Sequence, residues 1–153
     1  MNRTPVAVAL GSNLGDRSRT LDAAVEHLRR FLTDVQVSSY HDTAPVGVEP
    51  QPRFLNAAAV GHATSTAAEL LAELLRIETL YGRQRPGPGA PRTLDLDLIL
   101  FGDAVMREDG LEVPHPRFRE RAFVLAPLSE IAPNWRDPVS GMTVLELLSR
   151  LGR

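Results

Sequence analysis

The sequence predicts an α+β fold in which helices pack on a mainly antiparallel sheet. Apolar residues recur with the period of a strand or of a helix in the order strand, helix, strand, strand, helix, followed by one more strand. Turn-forming residues separate these segments, and hairpin signals follow the last strand. Such an order is typical of a ferredoxin-like α/β sandwich, for which we expect helices on one face of the sheet and the functional site on the other.

The composition indicates one globular domain covering residues 1–153. Hydrophobic residues make up 43% of the chain and charged residues 24%, and neither an internal repeat nor a linker interrupts it. No apolar run approaches the roughly 20 residues that span a bilayer, and Val6–Leu10 is too short for the core of a signal peptide. We therefore expect a cytoplasmic protein without a membrane partner, and a monomer, because no surface stripe demands a subunit interface.

The residue types present restrict the chemistry. The absence of cysteine excludes disulfides, thiolate nucleophiles and Cys-ligated zinc, and the four histidines show no metal-ligand spacing, so any metal is expected to be bound by oxygen. All 17 basic residues are arginine, which either reflects coding bias or means that a phosphate site must be built from guanidinium groups. A net charge of -2 and few aromatic residues argue against a nucleic-acid partner.

The first part of the chain contains two predicted strands and a helix. Val6–Leu10 is typical of a buried strand, and the glycines of the following segment, Gly11–Asp16, indicate a tight turn or, alternatively, a phosphate-cradling loop. The aspartate that ends this segment can cap a helix that continues to about Phe31. Val35–Thr43 predicts a second strand, and the proline-rich segment Ala44–Pro52 predicts a loop long enough to be functional.

A third strand and a second helix follow. Phe54–Ala63 alternates as a strand does, and its small residues suggest close packing by a helix. Asn56 and the phenyl ring two residues before it could hold a planar heterocycle by its edge and its face, although a strand-end Asn more often bonds a neighbouring loop. Thr66 and Glu69 form a capping box for a helix that closes near Tyr81–Gly82.

Two carboxylates, Asp95 and Asp97, stand in the otherwise apolar strand predicted within residues 91–103. Their Cα atoms are about 6.6 Å apart in a strand, and their repulsion is roughly 2.5 kcal/mol at an effective dielectric of about 20. The strand therefore needs a bound cation or protonation of one carboxyl, and the pattern alone leaves both open. The opposite face is expected to be core and carries four leucines, Leu94, Leu96, Leu98 and Leu100.

Arginines precede and follow this strand. The Pro/Gly-rich segment Arg83–Arg92 contains three arginines and no acid, so it is either a solvated linker or a site for a polyphosphate that Mg²⁺ bridges to the carboxylates. Beyond a short hairpin around Val105 and an extended Val113–Pro116 segment, a second cluster, Arg117–Arg121, opens an apolar helix and indicates either an anion site or solvated charge. A capping box at Thr143–Glu146 predicts a final helix.

Four segments together resemble the 6-hydroxymethyl-7,8-dihydropterin pyrophosphokinase family of folate biosynthesis. The resemblance is collinear over most of the chain, and its most specific segment contains the carboxylate pair. The segments are Ala9–Asp16, Phe54–Ala58, Pro91–Asp97, and Val113–Pro116 with Arg121–Leu125 and Pro127–Leu128.

The resemblance implies a ferredoxin-like fold and an enzyme that transfers the terminal diphosphate of ATP to a pterin alcohol and releases AMP. It also implies roles for individual residues. Two Mg²⁺ ions would be held by Asp95 and Asp97, and Arg83 and Arg92 would steady the transferring diphosphate. The nucleotide would be contacted by Glu78, Arg85, Leu98, His115 and Arg121. The pterin would be contacted by Thr43, Val46, Phe54, Asn56 and Phe123.

The chain departs from the family pattern in one loop and at two single positions. The segment Pro86–Pro91 is slightly short and lacks a basic residue, Leu75 replaces a polar nucleotide contact, and Phe54 replaces the commoner tyrosine. The altered loop leaves open a catalytically silent relative that binds nucleotide. A ferredoxin-like nucleic-acid-binding module is a further alternative, because such sheets can present aromatic residues to single strands, but the sequence gives it less support.

Overall fold

The computed structural model describes residues 3–43, 53–81 and 94–152. The strands are β1 (Thr4–Ser12), β2 (Thr33–Val37), β3 (His41–Thr43), β4 (Phe54–Ala63), β5 (Asp95–Phe101), β6 (Met106–Glu108) and β7 (Leu111–Val113). The helices are α1 (Arg17–Phe31), α2 (Ala67–Tyr81), α3 (Ala122–Ile131) and α4 (Val144–Leu151), with a 3₁₀ turn at Phe118–Glu120.

The main sheet is antiparallel and has the strand order β2-β4-β1-β5, with β3 pairing along the same strand β4 as β2 does. The two central strands are therefore β1 and β4, and β5 forms one edge of the described sheet. Strands β6 and β7 make a separate hairpin whose turn contains Gly110 at φ +77°. This topology confirms the predicted α+β sandwich of ferredoxin-like type.

Hydrophobic cores lie on both faces of the main sheet. One face packs on α1 and α2 through side chains such as Val8, Leu21 and Leu70. The other packs on α3 and α4 through side chains such as Ile99 and Leu125. The expectation that helices occupy only one face is therefore wrong, because the apolar C-terminal helices need a surface on which to bury themselves and the second face supplies it.

The predicted strand Val35–Thr43 is in fact two strands, β2 and β3, with Ser38 between them. The Ser38 N–H donates to the carbonyl of Ala58 at 2.9 Å, and the Ala58 N–H donates to the Ser38 hydroxyl, also at 2.9 Å. A side-chain oxygen thus takes the place of a backbone carbonyl, which interrupts the ladder at this residue.

A bulge interrupts the predicted alternation of β5. The register of the pair changes so that Leu98 lies opposite Val8 but Leu100, not Ile99, lies opposite Ala7. An extra residue in one strand shifts every later side chain to the other face. The prediction that Leu100 shares the face of the other leucines is therefore wrong: it lies with Ile99 in the core under α3 and α4, while Phe101 joins the core under α1 and α2.

The helix starts agree with the predicted caps. Asp16 accepts a hydrogen bond from the Arg19 N–H at 3.2 Å. Both capping boxes form: Thr66 with Glu69 before α2 and Thr143 with Glu146 before α4. Among the described helices, none is both long enough and apolar enough to cross a membrane.

Candidate active site

A cavity of about 250 Å³ opens where the ends of several strands meet the start of α3. It lies on the sheet face opposite α1 and α2, at the end that α3 does not fill. Its lining comes from four strands and one helix, and includes most of the residues that the resemblance assigns to the pterin. The lining residues are Ala9, Leu10, Gly11, Thr43, Phe54, Asn56, Asp95, Asp97, Arg121, Phe123 and Val124.

The register of the sheet brings this lining together. Gly11 pairs with Asn56 of β4 on one side and with Asp95 of β5 on the other. Directly paired residues on antiparallel strands present their side chains on the same face. Asn56 and Asp95, which are 39 positions apart in the sequence, therefore face the same cavity across a glycine.

Gly11 serves this site by its lack of a side chain. A Cβ at Gly11 would lie 2.9 Å from Asn56 Oδ1, which is closer than such atoms approach. The tight-turn interpretation is correct for Gly15, which has φ +64°, but wrong for Gly11, which lies within β1. A glycine inside a strand is the signal that could have identified it, because such glycines often mark a close approach.

The predicted pterin-edge residues Asn56 and Thr43 contact each other. Asn56 is 6% exposed, and its Nδ2 donates to Thr43 Oγ1 at 2.5 Å. Phe54 and Phe123 line the same cavity, from β4 and α3 respectively. Arg121, at the N-terminus of α3, has its guanidinium carbon 5.5 Å from the centre of the Phe123 ring. The site thus combines aromatic rings, an amide and a cation, which suits a flat polar heterocycle joined to an anion.

A second cavity of about 370 Å³ lies along the outer edge of β5. Four of the residues predicted to bind nucleotide or metal lie here, together with Leu75, which replaces a polar nucleotide contact of the family, and Leu71, which the sequence analysis did not assign to a site. The lining residues are Leu71, Leu75, Glu78, Leu96, Asp97, Leu98, Glu108, Gly110, Leu111, Glu112, His115 and Pro116. Asp97 lines both cavities and therefore lies between them.

The carboxylate pair fits a magnesium ion that takes part of its coordination from a substrate. Asp95 and Asp97 are half-buried and lie on one face of β5. Within the described ranges, no three His, Asp or Glu side chains converge as a complete protein cage would require. Mg²⁺ is commonly held by one or two carboxylates with phosphate and water oxygens completing its octahedron, so this donor set is adequate for it.

His115 is held in a defined orientation at the second cavity. Its ring Nδ1 accepts a hydrogen bond from the backbone N–H of Arg117 at 3.1 Å, and its backbone N–H donates to the Ile99 carbonyl at 2.9 Å. Burial lowers the pKa of His115, and this exceeds the opposing effect of the Asp97 charge. The neutral imidazole therefore carries its proton on Nε2, where it can donate.

Glu78 lies on the buried side of α2, although its charge would suit an exposed position. The side chain is 4% exposed, and its Oε2 accepts a hydrogen bond from the backbone N–H of Leu96 at 2.7 Å. It is also part of the second cavity's wall.

The second arginine cluster does not act as one anion site. Arg119 makes a two-point ion pair with the buried Asp137, and Arg117 pairs with Glu120. Of the three, Arg121 lines the smaller of the two cavities described here, and the other two line neither. The anion-site interpretation is thus wrong for Arg119, whose charge is already matched. The predicted site residues Val46, Arg83, Arg85 and Arg92 lie outside the described residues.

The chain is similar to known proteins over most of its length. Residues 7–133 match the family model described as 7,8-dihydro-6-hydroxymethylpterin-pyrophosphokinase (HPPK). Three bacterial relatives are each called 2-amino-4-hydroxy-6-hydroxymethyldihydropteridine pyrophosphokinase. The Synechocystis protein is 40% identical over 94% of this chain and 74% of its own length. The Bacillus subtilis protein is 46% identical over 81% of this chain and 75% of its own length. The Pseudomonas aeruginosa protein is 40% identical over 94% of this chain and 90% of its own length.

Solved structures share the fold. The wild-type HPPK-DHPS protein of Plasmodium falciparum superposes with a TM-score of 0.78 over 97% of this chain, at 13% sequence identity. This chain spans 45% of that longer protein. The family match and the bacterial relatives together establish that the chain belongs to the 7,8-dihydro-6-hydroxymethylpterin-pyrophosphokinase family.

Proposed function

We propose that the two cavities divide the two substrates of the family's reaction, the pterin alcohol in the smaller and ATP in the larger. The enzyme transfers the pyrophosphoryl group of ATP to the hydroxymethyl group of 6-hydroxymethyl-7,8-dihydropterin in folate biosynthesis. The bond that forms joins the hydroxymethyl oxygen to the β-phosphorus, and the bond that breaks joins this phosphorus to the oxygen shared with the α-phosphate, so AMP leaves. The observation that carries the assignment is Asp97, which lines both cavities.

The smaller cavity has the groups that a pterin needs. Asn56 and Thr43 would bond the edge of the heterocycle, while Phe54 and Phe123 would cover its ring faces, and Val46 would complete the pocket. Gly11 leaves the floor of the cavity open for a flat ring. The hydroxymethyl group would then point toward Asp95 and Asp97, where the cavities meet. These groups bind and orient the alcohol for in-line attack.

The larger cavity has the groups that a nucleotide needs. Leu71, Leu75 and Leu98 present an apolar surface suited to adenine, and His115 can donate from Nε2 to a phosphate or sugar oxygen. Arg121 lies at the smaller cavity, so we place it on the transferring phosphates rather than on the base. The chain's arginines Arg83, Arg85 and Arg92 would add further guanidinium contacts to the phosphates.

We further propose that Asp95 and Asp97 hold two Mg²⁺ ions together with the ATP phosphates. Such ions supply neutralisation of the charge on the phosphate oxygens during transfer. The carboxylates support this because they are half-buried, adjacent on one strand face, and directed at the cavity boundary. From the sequence we also propose that the protein has a single domain, is monomeric and cytoplasmic, and has no nucleic-acid partner.

The test is AMP release from ATP, Mg²⁺ and the pterin alcohol. Wild type should form AMP and pterin diphosphate in equal amounts, and Asp97→Asn should lower kcat by about 10²–10³-fold. Asp103→Asn, an exposed aspartate on the turn after β5, is the matched control and should keep full activity. If wild type binds ATP in a calorimeter but forms no AMP, the chain is the catalytically silent relative. If Asp97→Asn retains wild-type kcat, the assignment of the carboxylate pair fails.

A further inference from the structure

Glu78 is a carboxylate buried between the second helix and the strand that carries the metal-binding pair. It lies three residues before the end of α2, its neighbours Leu74 and Ile77 are in the hydrophobic core, and only 4% of it is exposed. Burial of a carboxylate is costly unless hydrogen bonds satisfy it. Its Oε2 accepts a bond from the Leu96 N–H at 2.7 Å, a length typical of charge-assisted hydrogen bonds.

The bonded amide lies between the two carboxylates of the site. In the register of the sheet, Asp95, Leu96 and Asp97 lie opposite Gly11, Leu10 and Ala9 of β1. Because the Leu96 N–H donates to Glu78, it points away from β1, to the outer side of β5. Backbone N–H groups of successive strand residues point to opposite edges, so those of Asp95 and Asp97 point toward β1.

On that outer side, the described part of the sheet has no further strand, because β5 is its edge. An amide at an edge normally bonds water and gains no rigidity from a neighbouring strand. Glu78 instead supplies a side-chain acceptor where a strand would have supplied a carbonyl. As a result, the segment from Asp95 to Asp97 is held by β1 on one edge and, at Leu96, by Glu78 on the other.

We propose that Glu78 is a positioning residue for the carboxylate pair. By bonding the Leu96 N–H, it fixes the backbone between Asp95 and Asp97 and so sets the separation and direction of the two carboxylates that receive Mg²⁺ with ATP. This role rests on the proposed function and extends it, because Glu78 acts through the strand rather than by touching the nucleotide. Small displacements of catalytic groups have large effects on rate, so the support of these ligands matters.

Two variants separate the hydrogen bond from the bulk of the side chain. Glu78→Gln keeps a carbonyl oxygen that can accept from Leu96, whereas Glu78→Met keeps the length and fills the apolar surroundings but accepts nothing. Glu73→Met is the matched control on the same helix, since Glu73 lies on the surface side and bonds Arg76. All are made in the full chain, and thermal unfolding is recorded for each.

The first readout needs neither metal nor substrate. Amide hydrogen exchange of Leu96, followed by NMR in the metal-free protein, should be at least about tenfold faster in Glu78→Met than in wild type, which corresponds to about 1.4 kcal/mol of lost local protection. Glu78→Gln should restore most of the protection, and Glu73→Met should match wild type. Unchanged Leu96 exchange in Glu78→Met would overturn the proposal even if the enzyme is fully active.

The second readout is the Mg²⁺ concentration at half-maximal AMP formation. We expect it to rise about tenfold in Glu78→Met and less than threefold in Glu78→Gln, while AMP binding in the absence of Mg²⁺ stays unchanged in both. Weakened AMP binding in both variants would mean that Glu78 contacts the nucleotide directly and would overturn the positioning role. Faster exchange and a lower Tm with an unchanged Mg²⁺ requirement would show a merely structural role.

Two further outcomes are decided by the same set of proteins. If Glu78→Met does not fold, Glu78→Gln alone decides. A raised Mg²⁺ requirement with an unchanged Leu96 exchange rate would contradict the proposal. Wild-type values for both the Leu96 exchange and the Mg²⁺ requirement would support it. If wild type itself forms no AMP, the proposed function fails, and the exchange measurement still reports whether Glu78 holds the strand.

Discussion

Asn56 and Thr43 are hydrogen-bonded side chains on adjacent strands, with Nδ2 and Oγ1 2.5 Å apart at the smaller cavity. The bond uses one of the two amide protons, so Asn56 keeps a second donor and a carbonyl oxygen for a ligand. Thr43 thereby orients the amide before a substrate arrives. Asn56 is 6% exposed, and an amide so buried does not reorient freely.

Replacing Asn56 tests the pterin assignment. Asn56→Ala should raise the KM for the pterin alcohol about 5- to 100-fold, since a lost hydrogen bond in a buried site costs about 1–3 kcal/mol. The affinity for a non-hydrolysable ATP analogue, measured by calorimetry, should stay within twofold of wild type. Asn134→Ala, in an exposed turn, is the control and should change neither. An unchanged pterin KM in Asn56→Ala would contradict the placement of the heterocycle.

Gly11→Ala should weaken pterin binding in the same cavity by displacing the Asn56 amide. The new Cβ would meet Asn56 Oδ1 at 2.9 Å, so the amide must move. We expect the pterin KM to rise about tenfold, comparable to the loss of one hydrogen bond. Gly152→Ala is the matched control, because its nearest described neighbour is 3.7 Å away. Steady-state kinetics with varied pterin checks this, and equal KM values for the two variants would show that Gly11 has no role in the site.

The Glu130 carboxylate joins the last turn of α3 to the segment that leads into β3. It accepts from the Ser39 N–H at 2.8 Å and the Ser39 hydroxyl at 2.9 Å, and lies 2.5 Å from His41 Nε2. Burial raises the pKa of Glu130, but the hydrogen bonds with Ser39 and His41 lower it by more than burial raises it. The pKa of Glu130 is therefore below its usual value. Since α3 carries Phe123 and β3 carries Thr43, this connection supports two walls of the cavity.

Glu130→Ala should therefore lower stability and loosen pterin binding together. We expect a loss of about 0.5–1.5 kcal/mol in the free energy of unfolding in urea, the net contribution typical of a hydrogen bond, because Glu130 is exposed. The pterin KM should rise about two- to fivefold, which is about 0.4–1 kcal/mol, and ATP affinity should not change. Glu26→Ala, on the exposed surface of α1, serves as the comparison. A loss of stability with an unchanged pterin KM would restrict Glu130 to a structural role.

Asp137 should make a large contribution to the loss of folding stability at low pH. Burial raises the pKa of its carboxyl, but the hydrogen bonds from Arg119, from Ser140 and from the Val139 N–H together bring it well below the usual range. A lowered folded-state pKa contributes stability that is complete above the unfolded value of about 3.9 and is lost as the pH falls through the folded value.

Asp137→Asn should accordingly cost about 3–5 kcal/mol at pH 7, as expected when one partner of a buried ion pair is removed. It should also flatten the dependence of stability on pH below about 4, because the titrating group is gone. Urea unfolding between pH 7 and pH 2.5 measures both effects, with Asp103→Asn as the exposed control. A wild-type stability that stays constant down to pH 2.5 would contradict the role given to Asp137.

Features decided by neighbours in the sequence were predicted well. The capping boxes at Thr66 and Thr143, the bounds Phe54–Ala63 of β4 and the end of α1 at Phe31 all agree with the structure. Each depends on residues within one or two turns or on a two-residue alternation, which the printed sequence displays directly. The chemistry of the carboxylate pair was also recognisable, because two aspartates in a leucine strand demand a cation or a proton.

Other features depend on strands that are distant in the sequence. The bulge that turns Leu100 to the other core follows from its register against Ala7, and the reason for Gly11 is an atom of Asn56 on the next strand. Glu78 is charged, yet it is buried beside β5, which is the edge of the sheet within the described residues. For Leu100 and Glu78, nothing nearby in the sequence signals such neighbours, whereas for Gly11 the only signal is a glycine inside a strand.

By itself, the sequence determined the family, the order of strands and helices, and the residue types available for the site: arginines, two aspartates, an amide and aromatic rings. The tertiary structure alone decided which of these meet, because antiparallel pairing places Asn56, Gly11 and Asp95 in one row across three strands. It also decided that Asp97 separates two cavities. The physical reason is that local periodicity specifies which face a side chain occupies, whereas the register between distant strands specifies what it faces.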